Sequence, residues 1–408
     1  MFARLAFIVC LALSTAASPL VVRKSPITLP IARRFNFTGG ATILERDQAR
    51  AKALKAMARP NPKTVNTATF PVPATNDAVS YTVDVAVGSP PTTYTLIVDT
   101  GSSNTWVGAD SSKPYKPTST SSDTGGILFL LYGSGLVLGE EYTDTIKIGD
   151  LTIEKQSIGS ALIASGFDGV DGILGIGPTD LTEGTVIGAS SVPTVTDNAW
   201  NAGLLDSYEV GISFEPATSL DVTNGELTFG GVDSSKFTGS INYVPITSTS
   251  PASSYVGIDQ SITYGSSGTP ILDSTSGITD TGTTLILIAS DALQRYQAAT
   301  GAVSDSTTGL LKISAADYDN LESLFFHIGG SSYELTKNAQ TWPRALNTAI
   351  GGDADSIYLV VGDIGSLSGE GLDFIDGYSF LERYYSVYNS GDNTFGIALT
   401  PFTYATTN

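Results

Sequence analysis

One histidine and one cysteine in 408 residues remove several common catalytic chemistries at the outset. With His327 alone, no zinc site of the His-Glu-x-x-His kind can form. A Ser-His-Asp triad would have to use that same residue as its base. Cys10 lies in an apolar stretch near the N-terminus, so neither a disulfide nor a cysteine nucleophile is expected. Glycine-rich phosphate loops of the P-loop or dinucleotide type are absent. Bases are scarce too: 21 Lys and Arg against 40 Asp and Glu give a formal charge of −19. That sign repels nucleic-acid phosphates and anionic membrane surfaces, so neither is an expected partner. No run approaches about 20 apolar residues, and Thr406-Thr407-Asn408 is not the apolar tail of a lipid anchor. An enzyme built from what remains works with carboxylates, and no cofactor or metal is expected.

What is present reads as a globular chain, with 41% hydrophobic and only 15% charged residues, long enough for two to three domain-sized units. Residues 1–17 have the form of a secretory signal peptide. Arg4 is the charged start, Leu5 to Leu13 the apolar run, and Thr15-Ala16-Ala17 the small-residue cleavage site. Secretion is therefore the expected destination; a vacuolar one begins with the same signal. Residues 18–67 are basic. Residues 1–67 hold 11 bases and 2 acids, a net of +9, and the remainder holds 10 bases and 38 acids, a net of −28. Residues 43–58 are rich in helix formers and stop at Arg59-Pro60-Asn61-Pro62. A solvated helical leader is the plain reading. A removable pro-segment, held to an acidic body by opposite charge and loosened as carboxylates protonate, explains the asymmetry better. Lys52 and Lys55 are the bases expected to reach the active carboxylates. The N-glycosylation sequon Asn36-Phe37-Thr38 also falls here, and the mature chain is expected to begin at about 67–72.

From about residue 68 the pattern changes to short alternating runs such as Tyr81–Val87 and Tyr94–Val98, separated by Gly, Ser, Asn and Asp, which predict strands. Few helices are expected. Ser290 is placed as the cap of one that ends at Gly301, and Ser314 as the cap of another running to about Phe326, with His327 just past it.

A repeat carries the chemistry. Ile97-Val98-Asp99-Thr100-Gly101-Ser102-Ser103 recurs as Ile278-Thr279-Asp280-Thr281-Gly282-Thr283-Thr284. Each copy is followed by an apolar segment closing on glycine, Gly172–Gly175 and Phe374–Gly377. Two lobes are implied, residues 68–245 and 246–408, each presenting an Asp-Thr-Gly loop. Two carboxylates about 4 Å apart at an effective dielectric near 20 repel by roughly 4 kcal/mol, which separates their ionisations by roughly 3 pKa units. One proton is then shared over an acidic range, so that one member acts as base and the other as acid; the dyad of pepsin is the reference case for this behaviour.

With Asp99-Thr-Gly-Ser-Ser-Asn-Thr-Trp106 and Asp280-Thr-Gly-Thr-Thr284 in view, the body from about Val72 to the C-terminus resembles the pepsin-like aspartic proteases, most of all their fungal polyporopepsin branch. Tyr132-Gly133-Ser134-Gly135 is similar to the flap of that family. The stretches Tyr333–Thr336, Trp342–Arg344 and Ser368–Asp373 are similar to the polyporopepsin branch in particular. The resemblance implies an all-β, bilobal fold with few short helices and a cleft between pseudo-twofold lobes. It implies an endopeptidase in which Asp99 and Asp280 activate a water molecule, with Thr100, Gly101, Ser102, Thr281, Gly282 and Thr283 supporting the dyad. Trp106 would brace Tyr132, while Gly133, Ser134 and Gly282 would bond the substrate backbone as an added strand does. Protein and peptide substrates, pepstatin-type inhibitors and the chain's own pro-segment are the implied partners, acting on a monomer at acidic pH with a preference for large apolar residues.

Asp168 and Asp171 read as structural carboxylates. Ile97, Val170 and Ile173 serve equally well as pocket lining or core. Asp376 stands where the family has an apolar residue, which puts the local packing in question. The competing readings are a catalytically silent binding or inhibitor protein of the same fold, and a glycosidase with paired carboxylates.

Overall fold

The computed structural model describes residues 25–35, 41–57, 79–133, 135–219 and 221–407. The expected signal peptide, Cys10, the sequon, the expected mature N-terminus and Ser134 lie outside the described residues. Strands dominate. The first is β1 (Ile27–Phe35), followed by helix α1 (Ile43–Met57), β2 (Val79–Val87), β3 (Thr92–Asp99), β4 (Thr105–Val107), β5 (Ser122–Leu131), β6 (Leu136–Ile148), β7 (Leu151–Ser165), β8 (Gly172–Gly175) and β9 (Val186–Ile187). They join β10 (Glu209–Ser213) and β11 (Val222–Phe229) in a 14-stranded sheet. A seven-stranded sheet from the second half carries Asp280 at the end of the strand Thr269–Thr279. The C-terminal strands Tyr384–Asn389 and Thr394–Leu399 return to the large sheet beside β10, so the sheet joins the two lobes.

The basic leader is part of this architecture. β1 pairs antiparallel with β11 on one side and with β2 on the other. The alternation of Ile27, Leu29 and Ile31 is the sequence trace of that strand, and Leu29 and Ile31 are buried in the main core. α1 follows as the helix formers require. Thr42 and Glu45 close its first turn reciprocally: Glu45 N donates to Thr42 Oγ1 at 3.2 Å and Thr42 N to Glu45 Oε2 at 2.8 Å. Ile43, Asp47, Ala51 and Leu54 recur at helical spacing, and that stripe is the buried face.

Two helix assignments need correction. The first spans Ser290–Thr300 with Ala289 as its N-cap, so Ser290 is inside it, and Ser290 Oγ instead donates to Asp363 Oδ1 at 2.6 Å. Its end is as read, with Gly301 at φ 74°, a left-handed backbone that glycine adopts without strain. Ser314 does cap the second helix, accepting from Asp317 N, but that helix covers only Ala315–Asp319. Leu324–Ile328 is a strand, because Leu324, Phe326 and Ile328 are buried in strict alternation. His327 lies on that strand, its Nε2 2.9 Å from Thr263 Oγ1, far from any catalytic arrangement.

Candidate active site

The two Asp-Thr-Gly loops leave the ends of matching strands. β3 pairs in parallel with β8, and Thr269–Thr279 pairs in parallel with Phe374–Asp376, so each loop rests on the apolar segment that follows its copy of the repeat. Across the pseudo-twofold the loops lock together. Thr281 Oγ1 accepts from Thr100 N at 3.0 Å, and Thr100 Oγ1 accepts from Thr281 N at 3.0 Å. Thr281 Oγ1 then donates to Val98 O at 2.9 Å, and Thr100 Oγ1 to Thr279 O at 3.4 Å. Both hydroxyls are therefore spent on holding backbone to backbone, which fixes where the carboxylates emerge.

Asp99 and Asp280 are buried, at 1% and 0% exposure. Asp99 Oδ1 accepts from Gly101 N at 3.0 Å and its Oδ2 from Ser102 Oγ at 2.5 Å. Asp280 Oδ1 accepts from Gly282 N at 3.1 Å, and its Oδ2 accepts from Thr283 Oγ1. Glycine is required at both third positions. A Cβ on Gly101 would stand 2.7 Å from Asp280 Oδ1, and one on Gly282 2.7 Å from Asp99 Oδ1. Each loop thus leaves room for the opposite carboxylate.

Between the carboxylates lies the guanidinium of Arg50, from α1. Its Nε donates to Asp280 Oδ2 at 2.6 Å, and its Nη2 to Asp99 Oδ1 at 2.6 Å and Asp280 Oδ1 at 2.8 Å. Neither lysine singled out in the leader does this. Lys52 is exposed on α1, and Lys55 Nζ donates to Ser366 Oγ and Glu370 Oε2. Counting charges could not select among the bases. Helical phase does, since Arg50 is three residues after Asp47 and four before Leu54, on the stripe that faces the body. Asp47 was not anticipated from the sequence either. Its carboxylate accepts from Leu285 N at 2.8 Å and Thr284 N at 3.3 Å, just beyond the second loop.

Burial raises the Asp99 carboxyl above its usual range, against the pull of Arg50. Burial acts upward on Asp280 too, but the charge and hydrogen bonds of Arg50, with those of Thr283 and Gly282, hold it below that range. Asp47 is pushed up to about 7, mainly by burial. The two aspartates of one site are thus driven apart.

Over them stands the β5–β6 hairpin. At its tip Tyr132 N donates to Gly135 O at 2.7 Å. Trp106 Nε1 donates to Tyr132 OH at 3.0 Å, and Phe167 packs edge-on against both rings. The brace is therefore a hydrogen bond, and Trp106 is also fully buried core. A Cβ on Gly133 would meet Arg50 Cα at 2.2 Å, so the hairpin tip closes directly onto α1. Ile97 and Ile173 are buried in the same cluster as Tyr132 and Trp106, with Val170 packed against it. Asp171 accepts from Thr95 N and Lys113 Nζ, both at 2.7 Å, and is structural. Asp168 lines a separate cavity of about 580 Å³ with Asp171, Val170 and the leader's Arg34. Among the described residues no cluster of three or more His, Cys, Asp or Glu is arranged to hold a metal ion.

Two buried aspartates on mirrored Asp-Thr-Gly loops, under a tyrosine-bearing hairpin and between two β lobes, define an aspartic-type endopeptidase. The sequence model of the eukaryotic aspartyl protease family matches residues 80–400, and the chain belongs to that pepsin-like family. It is 63% identical to polyporopepsin of Irpex lacteus over 339 residues, 83% of this chain and 99% of the relative. Pepsin A of Suncus murinus is 30% identical over 336 residues, 78% of this chain and 81% of the relative. A probable vacuolar protease A of Arthroderma benhamiae is also 30% identical, covering 78% of each chain. The crystal structure of the aspartic proteinase from Irpex lacteus superposes with a TM-score of 0.79 over 83% of this chain and 99% of that one. The silent-protein and glycosidase readings have no support beside these matches.

Proposed function

We propose that the chain is the secreted zymogen of an acid-active endopeptidase in which Asp99 and Asp280 activate the attacking water. The single observation that carries this reading is the Arg50 guanidinium, which joins both carboxylates at the place a water would occupy. One carboxylate takes the proton of the water as it attacks the peptide carbonyl, while the other donates a proton to the developing oxyanion. Ser102 and Thr283 orient the pair, and Tyr132, Gly133, Ser134 and Gly282 engage the substrate backbone. The apolar cluster of Ile97, Ile173, Trp106 and Phe167 beside the dyad supports a preference for large apolar side chains near the scissile bond.

In this reading residues 1–17 are the signal peptide and 18–67 the inhibitory pro-segment, with lobes dividing near 245. Acid release follows from the Asp280 pairing. A carboxylate held below its usual range by Arg50 supplies binding that is present above that range and is lost as pH falls through the lowered value. Asp47 works in the other direction. Raised to about 7, it is protonated in the docked leader well before acid activation begins, so it does not trigger release.

The test is hydrolysis of denatured haemoglobin at about pH 3 by the acid-treated secreted chain, with and without pepstatin, beside an Asp99→Asn variant. The reading requires pepstatin to abolish cleavage and the variant to lose at least about 10³-fold in rate, the scale of losing one member of a catalytic unit. Full activity before acid treatment, with the leader intact, would overturn the zymogen reading.

A further inference from the structure

The outer face of the hairpin over the active site is apolar where a solvated face is ordinarily polar. Along β5 the alternation buries Leu128 and Leu130 against Trp106 and Tyr132, and turns Ile127, Phe129 and Leu131 outward. The strand register makes those outward residues neighbours of others like them. Ile127 stands opposite Ile187 of β9, Phe129 opposite Leu138 of β6, and Leu138 opposite Ile163 of β7. Directly paired Cβ atoms lie about 5 Å apart, so these side chains form one continuous surface across four strands. A register shift in β7 at the same place leaves Leu162 outward as well, at 67% exposure, with Ile187 at 64% and Ile163 at 57%.

The patch exposes on the order of 700 Å², more than the largest patch of an ordinary monomer, about 300–600 Å². It approaches the roughly 800 Å² that each partner contributes to a standard interface. No Lys or Arg occurs in residues 117–146 or 156–235, so the face offers an anionic partner nothing. Its charged rim neighbour is Glu140, opposite Ile127, which accepts from Tyr142 OH. The other large apolar residues exposed among the described ones, such as Trp200, Val303 and Leu367, lie on other elements well away in sequence. The complementary surface on another copy of this chain is therefore the same patch, which makes the contact isologous and closed at two copies.

We propose that this face is a dimer interface between two copies of the chain. Two pleated sheets pack face to face at about 10 Å, with Phe129, Leu138 and Ile163 at the centre. The hairpins that cover the two clefts stand back to back. This departs from the monomer that the family resemblance implies. Because each copy carries a net charge of −19, the association strengthens as salt screens the repulsion, the reverse of a contact made by opposite charges.

The test is sedimentation velocity on the full-length chain carrying Asp99→Asn, which prevents self-cleavage, in low and high salt. The expected result is a mass-action shift from monomer to dimer, with a dissociation constant on the order of 10 μM that tightens with salt. The triple variant Phe129→Thr, Leu138→Thr, Ile163→Thr keeps strand formers at exposed positions, so its unfolding midpoint is expected to stay unchanged. Its dimer is expected to weaken by at least about 30-fold, as truncation of central interface residues does. A parent chain still monomeric at about 100 μM in high salt would overturn the proposal. So would a triple variant that dimerises as well as the parent, or assembly that runs past two copies.

Discussion

Replacing Asp376 by asparagine is expected to change how the stability of the body depends on pH. Asp376 is fully buried one strand away from the dyad. Its backbone oxygen accepts from Asp280 N at 3.2 Å, and its Oδ1 accepts from Gln260 Nε2 at 3.2 Å. Its Oδ2 has no partner, and neither has Gln260 Oε1, a buried acceptor beside it. Burial, only partly offset by Gln260, pushes the carboxyl up to about 8 from 3.8. A group raised in the folded state supplies stability in full below its unfolded value, and loses it as pH rises through the folded one. Between pH 4 and pH 7 that loss is about 4 kcal/mol, at 1.36 kcal/mol for each unit of pH. Asparagine does not titrate and brings amide donors to the oxygen that lacks one. In an Asp99→Asn background, guanidinium unfolding at pH 4, 5.5 and 7 should show the parent losing stability that Asp376→Asn keeps. The difference between them should grow by up to about 4 kcal/mol across the window. Asp47 and Glu141, both pushed up to about 7 by burial, are common to the two proteins and cancel. Two curves that run parallel from pH 4 to pH 7 would refute the reasoning.

Arg50→Met removes the cation between the aspartates, and losing one partner of a buried pair costs about 3 kcal/mol or more. Processing of the leader, followed on gels against pH, should then begin at higher pH than in the parent; an unchanged midpoint would remove Arg50 as the latch. With Arg50 in place, half-release is expected below the usual aspartate value of 3.8, because Asp280 is held under that range. A midpoint near pH 6 would contradict this. Trp106→Phe removes the indole donor to the buried Tyr132 hydroxyl and leaves Ser102 as its side-chain partner, at a cost of about 1 kcal/mol. It should lower kcat/KM by about tenfold or more with the dyad intact, and undiminished turnover would make Trp106 a packing residue only.

Much of this protein is legible in one dimension because the deciding interactions are local or repeated. Asp99-Thr-Gly and Asp280-Thr-Gly announce the two facing carboxylates, since a carboxylate, a locking hydroxyl and a glycine stand on the same short loop. Alternation in Tyr81–Val87 and Tyr94–Val98 announces β2 and β3, because a half-buried sheet imposes a period of two. Where local propensity competes with a distant partner the reading slips, as at Leu324–Ile328. There a helical cap at Ser314 is followed by a strand that is held by pairing with Gly257–Tyr264 on one side and Ser331–Leu335 on the other.

The sequence by itself determined the class, an aspartic-type endopeptidase, through the scarcity of histidine and cysteine and the doubled Asp-Thr-Gly. Only the tertiary structure decided which leader base meets the carboxylates, because that depends on the rotation of α1 about its axis once Asp47 is anchored at Thr284 and Leu285. It also made β1 an interior strand of the large sheet, and it gathered the outward apolar residues of four strands into one face. Neither is written in any single segment, because sheet register joins residues far apart in the chain, and a side chain meets its neighbours only after the strands have paired.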